Sequence, residues 1–232
     1  MAHDVEKEAA ARASLRFVRD GAIVGLGSGS TATDVLRLLG ERVRTGLKIH
    51  GIPTSRKTGE LATTLGIPLT SFDQVQEIHV TIDGADEFDP QLSLIKGGGG
   101  ALLHEKVVAS ASRQLVIVTD SSKQVQMLGK FPLPIEVIAF AEPLVRKKVE
   151  ALGASVSLRQ SNGRPFVTDE GHHILDCRFG QIPDPPSLAR KLSGMPGIVE
   201  HGLFVGMANV VLIARGNDVT ELNRDDIHGT GS

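Results

Sequence analysis

Short runs rich in valine and isoleucine alternate with helix-periodic segments through the first half of the chain, and this alternation constrains the fold more than any other feature. The runs fall at residues 22–26, 47–52, 78–82 and 115–119. Between them, segments 32–39, 55–65 and 101–112 carry apolar residues at helical spacing, and Gly66 supplies a C-terminal stop after the second. Strands apolar on both faces, separated by helices, argue for βαβ units and a parallel sheet covered on both sides. An amphipathic helix over residues 4–18, with Asp4 as its cap, precedes the first strand.

The rhythm changes near Phe131-Pro132-Leu133-Pro134. Strands are expected at 136–140, 154–158, around 165–167, at 174–176 and at 198–204. Helices are expected at 143–152, with Pro143 in the first turn, and at 187–192. A β-α-β-β-α-β order of this kind is the split βαβ, or ferredoxin-like, arrangement. The expected architecture is therefore α/β: a Rossmann-like parallel-sheet domain from residues 1–130 and 206–232, with a smaller ferredoxin-like α+β domain at 131–205. Residues 210–214 would return as a strand to the first domain, and 228–232 read as a frayed tail.

Composition excludes several classes of function. The chain has 232 residues, 41% of them hydrophobic, enough to bury a core. Its 25 basic and 27 acidic residues leave no global positive field, and it has neither Trp nor Tyr. Nucleic acid is therefore not an expected partner. No apolar run approaches the ~20 residues of a membrane span, and the N-terminus lacks a secretory h-region. Cys177 is the single cysteine, in a strand-like setting that reads as a buried structural thiol in a reducing compartment. The expected protein is soluble and cytoplasmic, with a small-molecule partner.

Four motifs can carry chemistry. Gly25-Leu26-Gly27-Ser28-Gly29-Ser30-Thr31 joins a strand to a helix, where backbone N–H groups and a helix N-terminus bind anions such as phosphate. It is neither the dinucleotide fingerprint nor a Walker loop. It can equally be a tight turn with Ser30 or Thr31 as the helix cap. Asp83-Gly84-Ala85-Asp86-Glu87 follows the third strand, at the carboxyl edge where open sheets bind ligands. Its carboxylates suit sugar hydroxyls or a hard cation, although an Asx turn is an alternative and no further ligand spacing completes a metal site. Asp120-Ser121-Ser122-Lys123 follows the fourth strand, and Lys123 is either a phosphate partner or a solvated lysine. The histidines, among them His104, His172 and His173, show no metal-ligand spacing.

The fourth motif is the most informative. Lys96-Gly97-Gly98-Gly99-Gly100 precedes a helix that carries Glu105 in its first turns. Four glycines cost more conformational entropy than a simple turn needs, which points to a backbone that approaches a ligand closely. The helical neighbours of Glu105 are Ala101, Leu102, Val108 and Ala109, none of them basic. A carboxylate in such surroundings is expected to have a raised pKa, suited to a general base near neutrality. A first-turn acid complementing the helix dipole is the alternative.

Taken together, IVGLGSGSTA, VTIDGADEFD, IKGGGGALLHEKVVAS, TDSSKQV and LGKFPLPIEVI resemble the ribose-5-phosphate isomerase family, type A, with weaker likeness in ILDCRF and MPGIVEHGLF. The segments occur in family order over nearly the whole chain, and the DGADE and KGGGG…EK pair is the most specific. The resemblance implies a cofactor-free aldose–ketose isomerase acting on ribose 5-phosphate, with Glu105 as general base. It implies substrate contacts at Ser28, Gly29, Ser30 and Thr31, at Asp83, Gly84, Ala85 and Asp86, at Lys96, Gly97, Gly98 and Gly99, and at Lys123 and Lys7. Lys96 and Asp83 would assist catalysis, Lys96 as stabilising charge and Asp83 by orienting hydroxyls. It also implies a homodimer or homotetramer. The sequence departs from the family pattern at Ser28, often threonine, and at Gly100, often alanine. The rival readings are a non-catalytic sugar-phosphate sensor, which would need a DNA-binding segment and no Glu105, an acyl-coenzyme A transferase, and a nicotinamide dehydrogenase, which the glycine spacing disfavours.

Overall fold

A computed structural model describes residues 2–228, so the expected tail past His228 lies outside the described residues. Helix α1 (Ala2–Ser14) leads through a 3-10 turn to β1 (Ala22–Leu26), α2 (Ser30–Arg44), β2 (Ile49–Pro53), α3 (Arg56–Thr64) and β3 (Val80–Asp83). Strands β4 (Glu87–Phe88) and β5 (Leu94–Ile95) precede α4 (Leu102–Ser110) and β6 (Leu115–Asp120). Next come β7 (Leu133–Val137), α5 (Glu142–Glu150), β8 (Ser155–Leu158), β9 (Gln160–Ser161), β10 (Arg164–Pro165), β11 (His173–Arg178) and α6 (Pro185–Ser193). The chain closes with β12 (Ile198–His201), β13 (Leu203–Phe204), β14 (Val210–Arg215), β15 (Asp218–Asn223) and α7 (Arg224–His228).

The chain divides into two compact units. The first holds the residues up to Ala85, His104–Lys123 and those from Met207 on; the second holds Asp86–Leu103 and Gln124–Gly206. The first unit is built on a six-stranded sheet in the order β15-β14-β6-β3-β1-β2, parallel except at β15. Alternate residues of its strands enter opposite cores, as a two-faced sheet requires. Val24, Leu26, Val80, Ile82, Val116, Val118 and Leu212 pack with Ala10 and Ala11 of α1 and Val35, Leu36 and Leu39 of α2. Ile52 and Ile78 pack with Val108 of α4.

The second unit holds an antiparallel sheet in the order β12-β7-β11-β8. In chain order its strands lie fourth, first, third, second, with β11 between the two strands joined by α5, which is the split βαβ arrangement. Its core joins Leu133, Ile135, Val137, Leu175 and Cys177 to Val145, Val149 and Leu192 of the two helices. Burial pushes the Cys177 thiol upward, as a structural thiol requires. A three-stranded sheet, β13-β5-β4, completes this unit. It explains why the unit takes in residues 86–103 and 124–130 beyond the range 131–205. Buried Glu87 of β4 accepts the N–H groups of Gly129 (2.9 Å) and Phe131, tying those segments together.

The α/β class expected from sequence stands, with local differences. The strand expected at 136–140 is β7, three residues earlier, because Ala139–Ala141 forms a 3-10 turn into α5. The strand expected around 165–167 is the second arm of a small hairpin. Its turn is Asn162-Gly163, both at positive φ, which suits the twist of a two-residue hairpin. Strand β15 was not anticipated; the hairpin turn at Gly216 (φ +61°) returns the chain along β14.

One carboxylate fastens α1 to the far end of the sheet. Buried Glu6 accepts the N–H of Ser121 (3.0 Å), the N–H of Gly216 (3.1 Å) and the hydroxyl of Ser121 (2.9 Å), with His3 Nδ1 at 3.1 Å. The amides of Ser121 and Gly216, followed by His3, hold its pKa down to about 2, against an ordinary 4.5. A depressed carboxyl contributes stability above its unfolded value and loses it as pH falls through its folded one. Glu6→Gln is therefore expected to lower the urea midpoint at pH 7, and its gap from wild type should close as pH falls from 4.5 towards 2. A gap independent of pH would show that the carboxylate charge does not matter here.

Candidate active site

Three neighbouring parallel strands of the first unit, β6, β3 and β1, end at one edge in polar or glycine-rich segments. From β1 the chain steps outward to β2 on one side, and β3 then lies on the other. Gly27 and Asp83 therefore flank the point at which strand order reverses, where open α/β sheets bind ligands. Asp83 is buried, and its Oδ1 accepts the N–H of Ser28 (3.0 Å) and of Gly84 (2.7 Å). Gly27 makes that approach possible: a Cβ there would sit 2.6 Å from the Asp83 Cα.

Ser28 is the hub of a hydroxyl cluster that the sequence reading passed over. Its Oγ lies 2.8 Å from Thr54 Oγ1, 2.9 Å from Ser55 Oγ and 3.0 Å from Thr58 Oγ1. A hydroxyl offers one donor and two acceptor sites, so these neighbours fill its capacity. The TSRKT stretch after β2 is the only sequence signal of this cluster. Helix α2 begins at Ser30, and its cap is Gly29 (φ 95°) rather than Ser30 or Thr31. A glycine cap has no side chain to occupy the first-turn N–H groups, which leaves the helix N-terminus suited to an anion. Ser30 is exposed there and Thr31 is buried.

Glu105 lies in the first turn of α4 and is 5% exposed. It stands three residues before Val108, hence on the same helix face. Val108 seats that face against bare backbone: a Cβ at Gly25 would fall 2.7 Å from Val108 Cγ1. Lys123 closes the 3-10 turn Ser121–Lys123, which Asp120 Oδ1 steadies through the Ser122 N–H (2.9 Å) and Glu6 through Ser121. Lys7, on α1 beside Glu6, has its Nζ 3.9 Å from Asp4 Oδ1.

The second unit carries the remaining candidates, and Gly84 and Ala85 are the links that precede it. Lys96 follows β5, is 3% exposed, and holds its ammonium 5.5 Å from the ring centroid of buried Phe204. Its N–H donates to Gly202 O (2.9 Å), and Gly202 is a close crossing, since a Cβ there would meet Pro134 Cδ at 2.9 Å. Asp86 Oδ2 accepts the Gly98 N–H at 2.7 Å, and a Cβ on Gly98 would stand 2.6 Å from Asp86 Oδ1. Gly97 (φ +101°) accepts the Gly100 N–H at 3.0 Å, making the glycine run a tight turn. Gly98 and Gly99 are exposed at its tip. Arg159, not singled out from sequence, meets this same turn.

Among the described residues, His3, Glu6 and Asp120 form a cluster with ligand atoms within 4.8 Å of one another. Protein donors already engage it: Glu6 takes both Ser121 donors and the Gly216 N–H, and Asp120 Oδ1 takes the Ser122 N–H and hydroxyl. The arrangement serves hydrogen bonding within the protein.

Comparison with known proteins agrees across sequence and structure. Residues 50–218 match the family model for ribose 5-phosphate isomerase A (phosphoriboisomerase A). The chain is 49% identical over 231 residues to ribose-5-phosphate isomerase A of Bradyrhizobium diazoefficiens, covering 95% of each chain. It is 51% identical to that of Sinorhizobium fredii, covering 88% of this chain and 91% of the other. A solved D-ribose-5-phosphate isomerase in complex with phospho-erythronic acid is similar at TM-score 0.94 and 37% identity, covering 97% of this chain and all of the other. The Plasmodium falciparum ribose 5-phosphate isomerase is similar at TM-score 0.91 and 38% identity, covering 95% and 98%.

Two glycines should respond very differently to the same substitution. Gly27→Ala forces a Cβ into the Asp83 backbone and should cost about 1–3 kcal/mol of unfolding free energy, as overpacking does. A Cβ at Gly99 meets nothing within 4 Å, so Gly99→Ala should stay within about 0.5 kcal/mol of wild type. Denaturant titration checks both, and equal costs would contradict the close-approach account.

Proposed function

The chain belongs to the ribose 5-phosphate isomerase A family, and on that premise we propose how its residues interconvert D-ribose 5-phosphate and D-ribulose 5-phosphate. Aldose–ketose isomerisation moves a proton between C2 of the aldose and C1 of the ketose through an enediolate. It needs one base and fixed charge or donors for the developing oxyanion, and it calls for neither cofactor nor metal. Glu105 is the base. The observation that carries this assignment is its burial on the α4 face that Val108 anchors over Gly25. Burial keeps this carboxylate away from bulk water, where it can take a carbon-bound proton and return it to the neighbouring carbon.

Lys96 supplies the stabilising charge, supported by its burial beside Phe204. Asp83 and Asp86, each fixed by a backbone N–H, orient sugar hydroxyls. The α2 N-terminus with Gly29, Ser30 and Thr31, the tip at Gly97, Gly98 and Gly99, and the cations Lys7 and Lys123 supply donors for the remaining oxygens. Ser28, Gly84 and Ala85 shape the backbone at that edge. The relative solved with phospho-erythronic acid, a phosphorylated four-carbon sugar acid, supports a ligand of this class.

Family membership disfavours the non-catalytic sensor. No described helix is long and apolar enough to cross a membrane, and we assign the enzyme to the cytoplasm and to the non-oxidative pentose phosphate pathway. We further propose a homodimer, extending where conditions allow to a homotetramer. The support is an apolar patch on the second unit: Phe140 is 95% exposed, with Ile138 and Leu144 exposed nearby in sequence.

Glu105→Gln should fold normally and lose about 10²–10⁴-fold in kcat with a far smaller change in KM. Retention of more than a tenth of wild-type turnover would move the base elsewhere. Phe140→Asp should shift the sedimenting species towards monomer; an unchanged assembly would remove this patch from the interface.

A further inference from the structure

The glycine turn at 97–100 is gripped from two sides by side chains of the second unit. On one side Asp86 takes the Gly98 N–H at 2.7 Å. On the other, Arg159 Nη1 donates to Gly97 O (2.8 Å) and to Gly98 O (3.1 Å). Arg159 is itself fixed. Its Nε donates to Asp176 Oδ2 at 3.0 Å and its Nη2 to Asp176 Oδ1, a two-point contact that only a guanidinium fork makes. The Phe166 ring lies 5.9 Å from the Arg159 guanidinium carbon, and the same ring closes over Gly100, where a Cβ would fall 2.6 Å from Phe166 Cε1. The side chains of Arg159 and Asp176 are only 13% and 24% exposed.

Peptide planarity turns this grip into a direction. In a trans peptide the N–H points opposite to the C=O of the preceding residue. With Gly98 O held by Arg159, the Gly99 N–H must point away from Arg159. Gly99 is exposed, and a Cβ there would meet nothing within 4 Å. We infer that Arg159 is a positioning residue for the isomerisation: by holding the carbonyls of Gly97 and Gly98, it aims the Gly99 N–H as a fixed donor to the sugar oxygen on which negative charge develops in the enediolate. This inference rests on the isomerase reading above.

A donor fixed before the reaction contributes to rate, because it need not reorganise as charge develops. Loss of the grip should therefore act on kcat more than on KM. Lysine cannot replace it, since one ammonium cannot hold Asp176 at two points and reach two carbonyls as well.

The test uses the full chain with Arg159→Ala and Arg159→Lys beside wild type, measuring kcat and KM for ribose 5-phosphate, thermal unfolding, and amide hydrogen exchange over residues 94–101. Both variants should lose at least about tenfold in kcat with KM changed by less than about threefold. Exchange at the glycine turn should rise, while the rest of the second unit is unchanged. Added guanidinium should restore part of the Arg159→Ala turnover, whereas sodium chloride at equal strength should not, a response that a bulk packing role would not give. If Arg159→Ala does not fold, Arg159→Lys decides the matter. Wild-type kcat in a folded variant, or an unchanged exchange rate at 97–100, overturns the inference. Wild-type protein without isomerase activity overturns the functional reading instead, and the exchange data then decide separately whether Arg159 holds the turn.

Discussion

The absence of side chains at two positions, one in a central strand and one just past its end, fixes much of the rest of the first unit. At Gly25, bare backbone lets Val108 settle α4 onto the sheet, and Glu105 is carried on that same face. At Gly27, two residues on, the missing Cβ lets buried Asp83 reach the N–H of Ser28. Both contacts lie at or beside the point where strand order reverses, so the packing that builds the sheet also places the carboxylates. A methyl group at either position would compete with backbone and side-chain atoms for the same space.

The second unit repeats the device with different partners. Gly98 and Gly100 admit Asp86 and Phe166, and Gly202 lets the chain cross from β12 to β13 against Pro134 and the backbone of Lys96. Glycine here fixes a conformation by removing an obstacle to close contact, and charged side chains then supply rigidity. Four consecutive glycines would otherwise be the most mobile stretch of the chain. A carboxylate on an N–H and a guanidinium on two carbonyls make this one an ordered turn.

The elements whose cause is local were legible in the sequence: the apolar runs of the parallel sheet, the helical segment from about Ser55, Pro143 in the first turn of α5, and the glycine run before Glu105. What could not be read depends on contacts between distant residues. Ser28 meets Thr54, Ser55 and Thr58 only because β1 and β2 are paired, and Arg159 meets Asp176 only because β11 lies beside β8. The cap of α2 fell on Gly29 rather than on a neighbouring hydroxyl, at a φ of 95° that residues with side chains rarely adopt. Strand β15 was missed because its alternating pattern is half exposed and lacks the apolar run that marks the inner strands.

The central claim is that one carboxylate carries a proton between adjacent carbons of a sugar phosphate. It is tested most directly by incubating the protein with ribose 5-phosphate in deuterium oxide and following C1 of ribulose 5-phosphate and C2 of ribose 5-phosphate by NMR. A carboxylate that holds the proton between carbons exchanges it with solvent in a fraction of turnovers, so deuterium should accumulate at both positions as the two sugars interconvert. Interconversion over many turnovers with the original hydrogen fully retained would mean direct hydride transfer between the carbons, and would contradict the account.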